Sequence, residues 1–144
     1  MPEENLEKEL DEIIDKEGYI SALVLTNTED YREVISSISK YLRDKEKRLI
    51  YLTSNKPSRE VIDELDYYKV DMEDVFFLDV ITKKLNLDFE EKENVYYGET
   101  PGEINRLLMN VTDVLEEWGE QNSFLLLDSF TGLLIYNKVK QAGK

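Results

Sequence analysis

The sequence predicts an α/β fold, a doubly wound and mainly parallel sheet preceded by an N-terminal helix. Three observations predict it. Short apolar runs lie at Ala22–Thr26, Leu49–Thr53, Val75–Asp79 and Phe124–Asp128. Runs of that length without polar alternation fit strands buried on both faces, the usual state in a parallel sheet. Stretches with helical spacing of apolar residues separate the runs, giving the strand–helix alternation of a doubly wound sheet. Two runs also end in an acid, Asp79 and Asp128. A carboxylate at the C-terminal end of such a strand faces the crevice where open α/β sheets bind ligands.

The chain of 144 residues is long enough for one domain with a sizeable core. We read residues 1–17 as an acidic helix and 18–144 as the core of that single domain. No apolar run reaches the length of a membrane helix, and the acidic N-terminus lacks the apolar segment of a signal peptide. A cytoplasmic location is the expectation. The absence of cysteine excludes disulfides, thiolate metal sites and a cysteine nucleophile. The absence of histidine removes the commonest general base and most zinc sites. A net charge of −14 is opposite to the basic footprint that nucleic acid requires. The local basic stretch from Lys40 to Arg48 reads as a solvated helix end, where cations complement the helix dipole.

Taken in order, residues 3–17 carry Leu6, Leu10, Ile13 and Ile14 on one helical stripe, with Gly18 as the stop. Tyr19 to Thr26 is the first strand. Thr28 is a candidate N-cap, with Glu29 and Asp30 in the first turn of a helix that runs to about Arg43. The inner face of that helix is Tyr31, Val34, Ile35, Ile38, Tyr41 and Leu42. Arg48–Thr53 is the second strand, and Ser58 is read as the cap of a helix bearing Val61, Ile62 and Leu65. Val75–Asp79 is the third strand, residues 80–93 an irregular connection, and Asn94–Gly98 a short extra strand. Thr100, Pro101 and Glu103 form a capping box for a helix through Ile104, Leu107, Leu108, Val111, Leu115 and Trp118, which Gly119 ends. The fourth long strand leads to Asp128. Of the nine tyrosines, the adjacent pairs Tyr67–Tyr68 and Tyr96–Tyr97 should each show a ring to solvent.

The candidate site follows from the two terminal acids. If their strands are neighbours, Asp79 and Asp128 could share a divalent ion, with Ser129, Thr131 and Thr82 assisting. The plainer alternative is that each acid caps the turn after it. A phosphate loop needs glycines, a lysine and a hydroxyl at the turn after the first strand. That turn is Thr26-Asn-Thr-Glu-Asp30, with neither glycine nor lysine and with two acids. An acceptor role for Asp79 in phosphotransfer is a third reading, but Glu29 and Asp30 lie too late to supply the acidic cluster it needs.

The order of these motifs resembles the archaeal branch of RecA-like ATPases related to KaiC and RadA, over about residues 18–140. The segments that carry the resemblance are Leu49-Ile-Tyr-Leu-Thr-Ser-Asn-Lys-Pro57, Val75-Phe-Phe-Leu-Asp-Val-Ile-Thr82 and Phe124-Leu-Leu-Leu-Asp-Ser-Phe-Thr-Gly-Leu-Leu-Ile-Tyr-Asn137. The last is similar to the family's Walker B segment and following loop, which implies a magnesium-associated role for Asp128 with Ser129 beside it. Active members carry a glycine-rich Walker A loop after the first strand and a catalytic glutamate after the second. Here those places are held by Thr26 to Asp30 and by Ser54-Asn-Lys56. The resemblance therefore implies the scaffold without the activity, a degenerate member with no catalytic residues.

The resemblance also implies that the first strand lies beside the Walker B strand with its other side open. The family sheet continues past that point with a helix and strand, which here would be shortened or supplied by another subunit. An open edge favours a homodimer or larger assembly. Two functions follow: a regulatory or protein-interaction module in signalling, partnered by its own copy or by an active relative, or an NTPase-like protein whose Mg and ATP site a partner completes.

Overall fold

The computed structural model describes residues 2–14, 20–25, 29–53, 56–98, 109, 113, 117, 123–128 and 132–137. The elements are α1 (Pro2–Ile14), β1 (Ile20–Leu25), α2 (Tyr31–Asp44), β2 (Arg48–Thr53), α3 (Ser58–Tyr67), β3 (Val75–Asp79), β4 (Val95–Tyr97), β5 (Ser123–Asp128) and β6 (Gly132–Asn137). One sheet contains all six strands in the order β1-β6-β5-β2-β3-β4. β5, β2, β3 and β4 are mutually parallel, and β6 is antiparallel to both of its neighbours. The fold is therefore α/β with an N-terminal helix.

Strand alternation explains why the central runs are apolar throughout. Leu49 and Tyr51 of β2, Phe77 of β3 and Phe124 and Leu126 of β5 turn to one face. There they pack under Leu10 of α1, Ile35, Ile38 and Leu42 of α2, and Val61 and Leu65 of α3. Ile50, Leu78 and Leu125 turn to the other face and are equally buried, with Val80 and Ile81. A strand with both faces covered favours apolar residues at successive positions, and the polar ones fall at the strand ends.

The acidic helix α1 packs in cis. Leu10 enters the core beneath it, and Asp11 accepts a hydrogen bond from the Tyr41 hydroxyl and pairs with Lys45 at 3.4 Å. Tyr67 is 79% exposed and sets its ring edge-on to Tyr68, as the adjacent pair predicts. Met109, Asp113 and Glu117 are helical and exposed, at the i, i+4 spacing of one helix face. Gly18, Tyr19 and the capping box at Thr100, Pro101 and Glu103 lie outside the described residues.

Five expectations need correction. β1 does not lie beside β5: β6 is inserted between them, in register from Ile20 opposite Asn137 to Leu25 opposite Gly132. Residues 132–137, read as a loop after the Walker B segment, form that strand, because Gly-Leu-Leu-Ile-Tyr-Asn returns alongside β5 as a hairpin. β1 does stand at the end of the strand order, as expected.

Helix starts differ too. Asp30, not Thr28, holds the N-cap of α2, and its carbonyl accepts from the Val34 N–H at 2.9 Å, so Glu29 and Asp30 precede the helix. Ser58 is the first residue of α3 and Pro57 is its N-cap. Proline has no side-chain acceptor for the free amides of the first turn, so another residue supplies one, as described below.

The Lys40–Arg48 stretch is not uniformly solvated. Arg43 is buried, with Nε donating to the Asp71 carbonyl at 3.0 Å, Nη2 to Asp71 Oδ2 at 3.1 Å and Nη1 to the Lys47 carbonyl. Its guanidinium ties the end of α2 to the loop before β3, a task its planar fork of donors suits.

Candidate functional site

Parallel pairing aligns three residues at the C-terminal end of the sheet. Thr53 is the register partner of Asp79 on one side and of Asp128 on the other. All three end their strands and turn to the face that α1–α3 cover. The chain leaves β2 through α3 toward β3, and leaves β5 in the opposite direction toward β6. The three residues thus sit at the carboxyl end of the parallel strands, the edge outside which open α/β sheets bind ligands. Asp79 and Asp128 reach the predicted edge. Their strands are not neighbours, however, so the condition set for a shared ion is not met. Ser129 and Thr131 lie outside the described residues.

Asp79 is fully buried and acts as a structural hub. Its Oδ1 accepts from the Ile81 and Thr82 amides, each at 2.9 Å. Its Oδ2 accepts from the Ser58 amide at 2.8 Å and the Thr82 hydroxyl at 2.5 Å. One carboxylate therefore caps α3, where Pro57 cannot, and fixes the turn after its own strand. Burial pushes its pKa up. The Thr82 hydroxyl and the Ser58, Thr82 and Ile81 amides together outweigh that and hold it below the ordinary aspartate value.

Asp128 is in a different environment. It is 2% exposed, and the Tyr51 hydroxyl donates to its Oδ2 at 2.8 Å. Burial raises its pKa to about 7. Burial, and then the Glu64 charge, push the Tyr51 hydroxyl well above its ordinary value, so it stays a donor. The Tyr51 partnership was not anticipated from the sequence. A tyrosine inside an otherwise aliphatic central strand was the signal, since a buried phenol needs a hydrogen-bond partner.

Two cations near this edge, Lys56 and Arg32, are paired with Glu64. Lys56 follows β2, its carbonyl accepting from the Thr53 hydroxyl at 2.5 Å. Its Nζ bonds both oxygens of Glu64, at 2.7 and 2.9 Å, and lies 5.9 Å from the centre of the Tyr31 ring. Arg32 meets the same Glu64 at 3.2 Å. Glu29 and Asp30 are exposed just ahead of α2.

Asp79 is not placed to hold a magnesium nucleotide. Magnesium takes hard anionic oxygens in a near-octahedral set. Both oxygens of Asp79 are engaged by the donors above, and Oδ2 of Asp128 accepts from the Tyr51 hydroxyl. Among the described residues no cluster of three acidic side chains is placed to hold a metal. No catalytic step through such a group follows from this arrangement.

Among the described residues no helix is long and apolar enough to cross a membrane. No curated protein and no solved structure matches the chain significantly. A family described as of unknown function, DUF7090, matches residues 33–144, from within α2 through β6 and beyond. That span takes in β2, α3, β3 and β5, which carry Thr53, Ser58, Asp79 and Asp128, and on its strength the chain belongs to the DUF7090 family.

Proposed function

We propose that this chain is a non-catalytic, RecA/KaiC-like domain with a doubly wound sheet, acting as a regulatory or protein-interaction module in signalling. The observation that carries the reading is the engagement of Asp79. A carboxylate at the ligand-binding end of the sheet accepts four internal hydrogen bonds and holds α3 in place. The pairing of Lys56 and Arg32 with Glu64 supports it, because two of the cations near this edge are already engaged by a carboxylate. So does the β1–α2 connection, which lacks the glycines and lysine of a phosphate loop. Its partners on this reading are proteins, a second copy of the chain or an active RecA/KaiC-like relative.

Calorimetric titration of the full chain with ATP, with and without magnesium, tests this. The expected result is no saturable heat in either condition. Magnesium-dependent binding that is lost on Asp128→Ala would overturn the reading in favour of a nucleotide site completed by a partner subunit. Asp79 as a phosphoacceptor is disfavoured by the same geometry, since its buried oxygens have no free approach for a phosphodonor.

A further inference from the structure

We draw no further inference here: the strongest candidate, the surface patch on α3 where the exposed ring of Tyr67 stands beside the exposed Asp63 and Asp66, carries nothing, because nothing in the structure shows what covers it.

Discussion

The Tyr51 hydroxyl donates to Oδ2 of Asp128 at 2.8 Å, joining residues 77 positions apart in sequence. Tyr51 lies two residues before the end of β2, and Asp128 is the last residue of the adjacent β5. The bond therefore runs diagonally across a parallel pair, on the face that the helices cover. It explains how a carboxyl survives at the edge of an aliphatic core. A phenol that stays protonated at every physiological pH supplies a donor to a group whose charged form the surroundings disfavour.

Replacing Tyr51 by Phe removes that donor while keeping the ring that packs at 5.6 Å from Phe77. The expected loss is about 1–3 kcal/mol, the cost of taking a hydrogen bond from a buried acceptor. Urea unfolding at pH 7 with an unchanged m-value checks it. A loss within a few tenths of a kcal/mol would show that the bond contributes nothing net.

Asp128 should also give stability an unusual pH dependence. Its folded pKa, about 7, is above the ordinary 3.8, so the folded state binds a proton that the unfolded chain has released. The contribution is fully present below pH 3.8 and is lost as pH rises through about 7. The raised pKa corresponds to roughly 4 kcal/mol over that window, as an order of magnitude. Asp79 works in the opposite sense. Its pKa is depressed, so its contribution holds above 3.8 and is lost as pH falls below it. Wild type should thus lose stability as pH rises from about 4 to about 7 and level off above that, and Asp128→Asn should flatten that slope. Thermal unfolding of both proteins across that range distinguishes them, and equal slopes would remove Asp128 as the cause.

The strands were legible in the sequence because burial on both faces leaves no alternative to a continuous apolar run. Arg48–Thr53 and Val75–Asp79 were read to the residue for that reason. β6 was missed because Gly-Leu-Leu-Ile-Tyr-Asn follows the Walker B-like segment so closely that the resemblance fixed it as a loop. The hairpin that returns it to β5 depends on a partner strand that local pattern cannot name. Asp79 and Asp128 were found as strand-terminal acids, but their differing states were not legible. What separates them is contact: donors from α3 and the following turn surround Asp79, and a tyrosine one strand away meets Asp128. Helix caps failed similarly, since Ser58 looked like a cap while the acceptor for its amide came from β3.

Asp79→Ala should be among the most damaging single changes in the chain. It leaves the buried Ser58, Ile81 and Thr82 amides without their carboxylate acceptor, and orphaned groups of this kind cost about 1–3 kcal/mol each before relaxation. A loss of about 3–5 kcal/mol is expected, larger than that of Tyr51→Phe. Asp79→Asn should recover part of it, because the amide oxygen still accepts while its nitrogen opposes a donor. Chemical denaturation orders the three variants, and hydrogen exchange should place the fastest new exchange in the first turn of α3.

The Lys56–Glu64–Arg32 group offers a graded test of burial. Lys56 and Glu64 have side chains 19% and 16% exposed, whereas Arg32 is 67% exposed. Water and salt screen the Arg32 pair, which should contribute about 0–1 kcal/mol. The Lys56 pair is more shielded, and a double-mutant cycle of Lys56→Met with Glu64→Gln should give a coupling of roughly 1–3 kcal/mol. Raising salt to about 1 M shortens the screening length to about 3 Å, so the Arg32 coupling should vanish while the Lys56 coupling persists. Equal couplings for the two cations, or equal sensitivity to salt, would mean that Lys56 is as solvated as Arg32, and would reopen this edge to an incoming anion.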